Sequence, residues 1–137
     1  MKSVRRGRES DEHVMLKLRL LHLCRKAGYI VQCEEGNSDL VVCNPRKRDI
    51  ACIEVERSVR HVCNNLERDF ALGCNRVIIV TTSATLKRRI EELLCRRVWA
   101  TFLNRILVIT TDVLNDASAS DIFTQSVMHE QSGQISA

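Results

Sequence analysis

The chain has 137 residues and a formal net charge of +4, and this length suits a single domain with one core. Hydrophobic residues make up 45% of it and aromatic residues only 4%, so we expect a core of aliphatic and sulfur-containing side chains. No apolar run approaches the roughly 18 residues that a membrane span needs, which predicts a soluble protein with no membrane partner and no secretory signal. The mild basic excess permits a nucleic-acid partner without requiring one.

The seven cysteines mostly stand about ten residues apart and form no Cys-x-x-Cys pair, which argues against a zinc site. Cys43 and Cys52 lie inside apolar segments, where a free cysteine behaves as a small hydrophobic residue. We interpret the cysteines as reduced core residues, with disulfides or a thiol-based regulator as alternatives. Reduced thiols predict a cytoplasmic, reducing compartment.

The N-terminal part of the chain is predicted to contain a flexible arm and a helix. Residues 1–10 are basic and form the arm. The helix runs from Asp11 to about Ala27, because acidic residues favour its N-terminus and Gly28 follows its end. Its predicted core stripe includes Val14, Leu18 and Leu21.

The rest of the chain alternates between apolar strand segments and helical segments, in the order α-β-β-β-α-β-α-β. The predicted strands are Tyr29 to Cys33, Leu40 to Cys43, Ile50 to Glu56, Arg76 to Thr81 and Ile106 to Thr110. The predicted helices after the first are Val59 to Leu72 and Ala84 to Cys95 or beyond. This order predicts one α/β domain over residues 11–114, with a mixed sheet and helices on both faces. Residues 115–137 are polar and predicted to be disordered.

Acidic residues interrupt the second and third predicted strands. Asp39 opens the second strand, and Glu54 and Glu56 point to the same face of the third, because strand side chains alternate. Carboxylates on an apolar strand are costly unless a positive charge lies near them. A three-acid cluster would suit a hard divalent cation, whereas a solvated strand edge is the alternative.

These acids and the order of elements resemble the PD-(D/E)XK nuclease superfamily, which includes type II restriction endonucleases and archaeal Holliday-junction resolvases. The resemblance spans residues 11–110 and implies a restriction-endonuclease-like fold. It also implies that Asp39 and Glu54 bind Mg²⁺, for which Mn²⁺ can substitute, and that Glu56 stands where the family has a catalytic lysine. Resolvase-like members have a further glutamate early in the first helix, which Glu12 matches and Glu9 matches less well.

The chain departs from the family pattern at two positions. Ser38 replaces a common proline, which is a minor change in a loop. Glu56 replaces the lysine, and a carboxylate can act as a general base or hold a second ion but cannot offer positive charge to a phosphate. The stretch from Ile53 to Ser58 also resembles nuclease-like proteins of mobile elements and archaeal viruses.

The resemblance therefore implies a metal-dependent DNA endonuclease. Cutting duplex or branched DNA needs two active sites, so we expect a homodimer. The predicted contacts with DNA phosphates are Arg57, Arg60, Arg46, Lys47 and Arg48. The alternative is a catalytically silent module of the same fold that binds DNA or assembles a complex.

Overall fold

The computed structural model describes residues 10–33, 39–46, 48–98, 100–116 and 122–123. Its helices are α1 (Asp11–Lys26), α2 (Val62–Ala71), α3 (Ala84–Arg97), α4 (Ala100–Leu103) and α5 (Val113–Asp116). Its strands are β1 (Ile30–Cys33), β2 (Leu40–Asn44), β3 (Asp49–Val55), β4 (Arg76–Thr81) and β5 (Ile106–Thr110). None of the helices within these ranges is long and apolar enough to cross a membrane.

The five strands form one mixed sheet in the order β1-β2-β3-β4-β5. The first three strands are antiparallel neighbours, and β3, β4 and β5 run parallel. The parallel connections need crossovers, which α2 and α3 provide. The predicted α/β class, the strand positions and the mixed sheet are thereby confirmed, and the short α4 was not predicted.

Helices pack on both faces of the sheet because strand residues alternate between two apolar clusters. One cluster joins α1 to one face through residues such as Leu20, Leu40 and Ile53. The other joins α2 and α3 to the opposite face through residues such as Leu66 and Ile90. Glu54 and Glu56 alternate with Ile53 and Val55 along the chain, so the two glutamates leave the strand toward the α2 face.

The predicted core stripe of α1 is only partly right. Leu21 is buried, but Val14 is half-buried and Leu18 is 40% exposed. The inward face instead includes Leu20 and the fully buried Lys17. A pattern that counts only apolar residues assigns Lys17 to solvent, and this error rotates the predicted face of the helix.

The predicted domain boundary at residue 114 is too early. Ile122 is buried in the cluster beneath α1, and the Phe123 ring lies 4.7 Å from the ring of Tyr29. The Phe123 carbonyl also accepts a hydrogen bond of 2.7 Å from Arg76. These contacts place part of the predicted disordered tail on the domain. The predicted arm lies outside the described residues apart from Ser10.

The interpretation of every cysteine as a free thiol is wrong for one pair, because Cys52 on β3 and Cys74 before β4 form a disulfide. Both are buried, at the point where the two parallel strands begin their pairing. The argument from reduced thiols to a reducing compartment therefore does not hold for this pair. Among the described free cysteines, Cys95 is exposed and the others are buried or half-buried. A thiol-based regulator would need several accessible thiols.

Candidate functional site

The three predicted acids lie together where β2 begins and β3 ends. Leu40 pairs with Ile53 in the antiparallel register, so Asp39 stands beside Glu54, one residue beyond. All three side chains are buried: Asp39 is 3% exposed, Glu54 2% and Glu56 7%. This burial excludes a solvated strand edge. Carboxylates at such depth need polar or charged partners, and α1 and α2 supply them.

Asp39 is held between β3 and α1. Its Oδ2 accepts a hydrogen bond of 2.8 Å from the Val55 N–H, while its Oδ1 lies 3.4 Å from His13 Nε2 and 4.0 Å from Lys17 Nζ. Burial alone would raise the pKa of Asp39. The contact with His13, the Val55 N–H and the charges of His13 and Lys17 outweigh burial and hold the pKa below its usual value.

Glu54 belongs to a buried group with two residues of α2. Its Oε2 lies 3.0 Å from an Arg68 guanidinium nitrogen, and the same nitrogen lies 3.5 Å from Asp69 Oδ1. Burial raises the pKa of Glu54, and so do a hydrogen bond with Asp69 and the charges of Asp69 and Asp39, against the opposing charge of Arg68. Two carboxyl groups thus share one guanidinium, which favours retention of a proton on Glu54.

Glu56 is linked to the same group through Asn65. The amide of Asn65 donates a hydrogen bond of 2.5 Å to Glu56 Oε1, and its carbonyl oxygen accepts one of 3.0 Å from Arg68. The pKa of Glu56 is raised to about 7, mainly by burial and further by the charge of Asp39, although the Asn65 hydrogen bond opposes the rise.

The helical partners of the acids were only partly predictable. Glu12, the predicted additional metal ligand, is exposed, whereas the α1 side chains that approach Asp39 are His13 and Lys17. Glu9 lies outside the described residues. On α2, the polar residues at the site are Asn65, Arg68 and Asp69. Their i, i+3, i+4 spacing places them on one face of the helix, and this spacing was the signal available in the sequence.

The predicted DNA-binding residues fall into two places. Arg57 and Arg60 are exposed on the segment that follows β3, and Arg57 donates a hydrogen bond of 2.7 Å to the hydroxyl of Ser10, the N-cap of α1. Arg46 and Arg48 lie in the turn between β2 and β3, at the other end of β3. Arg48 stands six positions before Glu54, or roughly 20 Å along an extended strand, so these two arginines do not surround the acids. Lys47 lies outside the described residues.

The donor atoms of the site suit a divalent cation in part. Asp39 Oδ1 is a buried carboxylate oxygen with no hydrogen-bond partner within the described chain, which makes it an available hard ligand. Glu54 is the neighbouring carboxyl group, and its Oε2 is already in contact with Arg68. Among the described ranges, no three His, Cys, Asp or Glu side chains are arranged around a common point. Protein ligands at this site would therefore be few, and water or substrate would supply the others.

Comparisons with family models, with curated proteins and with solved structures give no match.

Proposed function

We propose that the chain is a metal-dependent endonuclease that hydrolyses phosphodiester bonds in DNA on a restriction-endonuclease-like fold. The observation that supports this most is the convergence of Asp39, Glu54 and Glu56 at one end of a mixed sheet, all three nearly inaccessible to solvent. A fold that needed only stability would gain little from three adjacent buried carboxyl groups. Their cost is understandable if they handle a cation and a phosphate.

In this proposal Asp39 and Glu54 hold Mg²⁺, or Mn²⁺ in its place. The chemistry that the ion supplies when bound is to lower the pKa of the attacking water and to offset the charge that develops on the phosphate. Arg68 lies 3.0 Å from Glu54 Oε2, so a cation bound to this carboxylate would compete with the guanidinium for its charge. Arg68 then remains near the phosphate as a counter-charge.

Glu56 is the proposed general base. A carboxyl group with a pKa of about 7 is about half ionised at pH 7, so it can accept a proton there, and it is a stronger base than an ordinary glutamate. The hydrogen bond from Asn65 fixes Oε1 and thereby orients the carboxylate. This assignment gives Glu56 a role at the position where the family has lysine, and it leaves the positive charge to Lys17 and Arg68.

Arg57 and Arg60 are the proposed contacts with DNA phosphates. They are exposed, they follow the strand that carries Glu54 and Glu56, and Arg57 is tied to the start of α1. Such contacts bind DNA of any sequence and weaken with salt. Cleavage of both strands of a duplex would need a second copy of the chain, so the proposal includes a homodimer.

A cleavage assay tests the proposal. Plasmid, linear and four-way-junction DNA are incubated with the protein in Mg²⁺, Mn²⁺ or chelator, and we expect cleavage only with metal. Asp39→Asn should abolish it, because it removes the charge of the proposed ligand while keeping its size. Asp49→Asn, at the opposite end of β3, is the matched control and should cut like the wild-type protein. Metal-independent cutting, or full activity of Asp39→Asn, would contradict the proposal.

A catalytically silent DNA-binding module is the second candidate, and the pairing of the acids favours it. Arg68 already lies against Glu54, and Lys17 and His13 already face Asp39, so each of these two acids has a basic neighbour without a metal. A silent module should bind DNA with the same affinity in Mg²⁺ and in chelator and should cut none of the three substrates.

A further inference from the structure

We propose that the groove between α2 and the junction of α3 with α4 binds single-stranded nucleic acid, with an unpaired base stacked against Phe70 and Phe102. The inference goes beyond the proposed cleavage and does not rest on it, because the groove and the buried acids lie on different sides of α2. It starts from two aromatic side chains that are accessible in a chain with few aromatic residues.

The groove has a volume of about 530 Å³, and sites for small organic groups span roughly 300–1,000 Å³. The α2 residues that line it are spaced at i, i+3, i+4 and i+7, which places them on one face of the helix. They are Cys63, Leu66, Glu67 and Phe70, and Arg97 of α3 and Phe102 of α4 complete the lining. Asn65 and Arg68, which contact Glu56 and Glu54, project from another face of α2. The groove is therefore a separate opening, with room for a base.

Two of the three phenylalanines of the chain meet in this groove. The ring centroids of Phe70 and Phe102 are 5.1 Å apart, with an angle of 56° between the ring planes. Phe70 is half-buried and Phe102 is 37% exposed, so part of this aromatic surface faces solvent. Accessible rings are a platform for unpaired bases, because every base has a π-face that can stack.

A fixed arginine holds the two rings in place. The Cζ atom of Arg105 lies 4.8 Å from the centroid of the Phe70 ring and 5.5 Å from that of Phe102, within the range of a cation–π contact. Arg105 in turn donates hydrogen bonds of 2.7 Å to the Asn75 carbonyl and 3.0 Å to the Cys74 carbonyl. The rings are therefore preorganised, so a base that stacks on them pays little for ordering the protein.

The charges at the groove favour a nucleic-acid strand over an apolar peptide or a second copy of the chain. Arg97 lines the groove and is exposed, and Arg105 adds a second positive charge behind the rings. A strand brings a phosphate beside each base, so it satisfies the rings and the cations together. Among the described lining residues Glu67 is the acidic one. It disfavours a phosphate next to it but can accept a hydrogen bond from an amino group of a base.

Fluorescence anisotropy of the full-length protein in chelator tests the inference with two probes, single-stranded DNA and an abasic strand of the same length. The abasic strand keeps the phosphates and removes the bases, so we expect it to bind at least fivefold more weakly. Phe102→Leu should lower affinity for single-stranded DNA at least fivefold and leave affinity for the abasic strand unchanged. Phe123→Leu is the matched control, because that ring packs on Tyr29 outside the groove, and it should bind like the wild-type protein. Arg97→Gln should weaken both probes alike.

Alkylation of Cys63 locates the bound strand without any substitution. Cys63 is a half-buried free thiol in the groove, whereas Cys95 is an exposed thiol that does not line it. We expect single-stranded DNA to slow the alkylation of Cys63 by iodoacetamide, measured by mass spectrometry, and to leave Cys95 unchanged. The abasic strand should protect Cys63 much less.

Each outcome decides the inference. No binding of single-stranded DNA, or equal affinity for the two probes, overturns it. Base-dependent binding that leaves Cys63 unprotected overturns it too, as does wild-type affinity in a Phe102→Leu variant that circular dichroism shows to be folded. Protection of Cys63 that rises with protein concentration without DNA would assign the groove to a second copy of the chain and also overturn it. If Phe102→Leu does not fold, the two probes and the protection of Cys63 in the wild-type protein still decide.

The inference and the proposed endonuclease can fail separately. Metal-dependent cleavage by a protein that binds both probes equally would refute the base-stacking groove and leave the endonuclease standing. Base-dependent binding with protection of Cys63, but without cleavage in Mg²⁺ or Mn²⁺, would support the groove and refute the endonuclease.

Discussion

The charge of Glu56 should destabilise the metal-free fold as the pH rises. Its pKa is raised from 4.5 to about 7, so the folded state keeps a proton that the unfolded state has already released between these two values. The free energy of unfolding then falls by about 1.4 kcal/mol per pH unit across this window. Across the whole window the cost reaches about 3 kcal/mol, and it stays at that level above pH 7. Below pH 4.5 both states are protonated and the cost vanishes.

Replacement of Glu56 by Gln removes this cost. The amide keeps the size of the side chain and a carbonyl oxygen that can accept the Asn65 hydrogen bond. We compare the free energy of unfolding of Glu56→Gln with that of the wild-type protein. We expect this difference to favour the variant by about 3 kcal/mol more at pH 8 than at pH 4. Urea unfolding at both pH values, in chelator, gives the two free energies. The part of the stability difference that is the same at both pH values comes from packing or hydrogen bonding. The part that changes with pH comes from the charge of Glu56.

Glu92→Gln is the matched control, because Glu92 is exposed on α3. It should shift stability much less between pH 4 and pH 8 than Glu56→Gln does. A stability difference between Glu56→Gln and the wild-type protein that is equal at pH 4 and pH 8 would refute the reasoning. It would mean that the neighbours of Glu56 stabilise its ionised carboxylate in the folded protein as well as water does in the unfolded chain.

Three further outcomes are expected from the site. Saturating Mn²⁺ at 100 times its dissociation constant should stabilise the protein by about 2.7 kcal/mol over chelator, and equal melting temperatures in Mn²⁺ and chelator would count against a cation site. The double replacement of Arg57 and Arg60 by Ala should flatten the slope of log affinity for DNA against log salt by roughly one unit per lost phosphate contact. The control is the double replacement of Arg88 and Arg89, two exposed residues of α3, which should leave this slope unchanged. Arg68→Met should destabilise the metal-free protein by about 3 kcal/mol, because it leaves a buried carboxyl group unpaired. Mn²⁺ should recover more of this loss than it adds to the wild-type protein, and equal gains in the two proteins would show that Arg68 does not compete with the ion.

Local sequence patterns were sufficient for most of the fold. Short apolar runs bounded by polar and turn residues identified all five strands, and Gly28 marked the end of α1 within one residue. The alternation of side chains along β3 put Glu54 and Glu56 on one face. These features depend on backbone geometry over a few residues, which the local sequence carries.

The partners of the acids could not be read from the sequence, because they depend on how each helix is rotated against the sheet. The sequence determined that α1 is a helix, but packing turned Lys17 and His13 toward Asp39 and left Glu12 in solvent. Packing likewise brought Glu54 of β3 against Arg68, whose neighbour in the chain, Asp69, contacts the same guanidinium. A single helix offers several faces of similar apolar content, and only burial against the other elements selects one. The elements and the acids were therefore decided by the sequence alone, whereas the charge balance around the acids was decided by the tertiary structure.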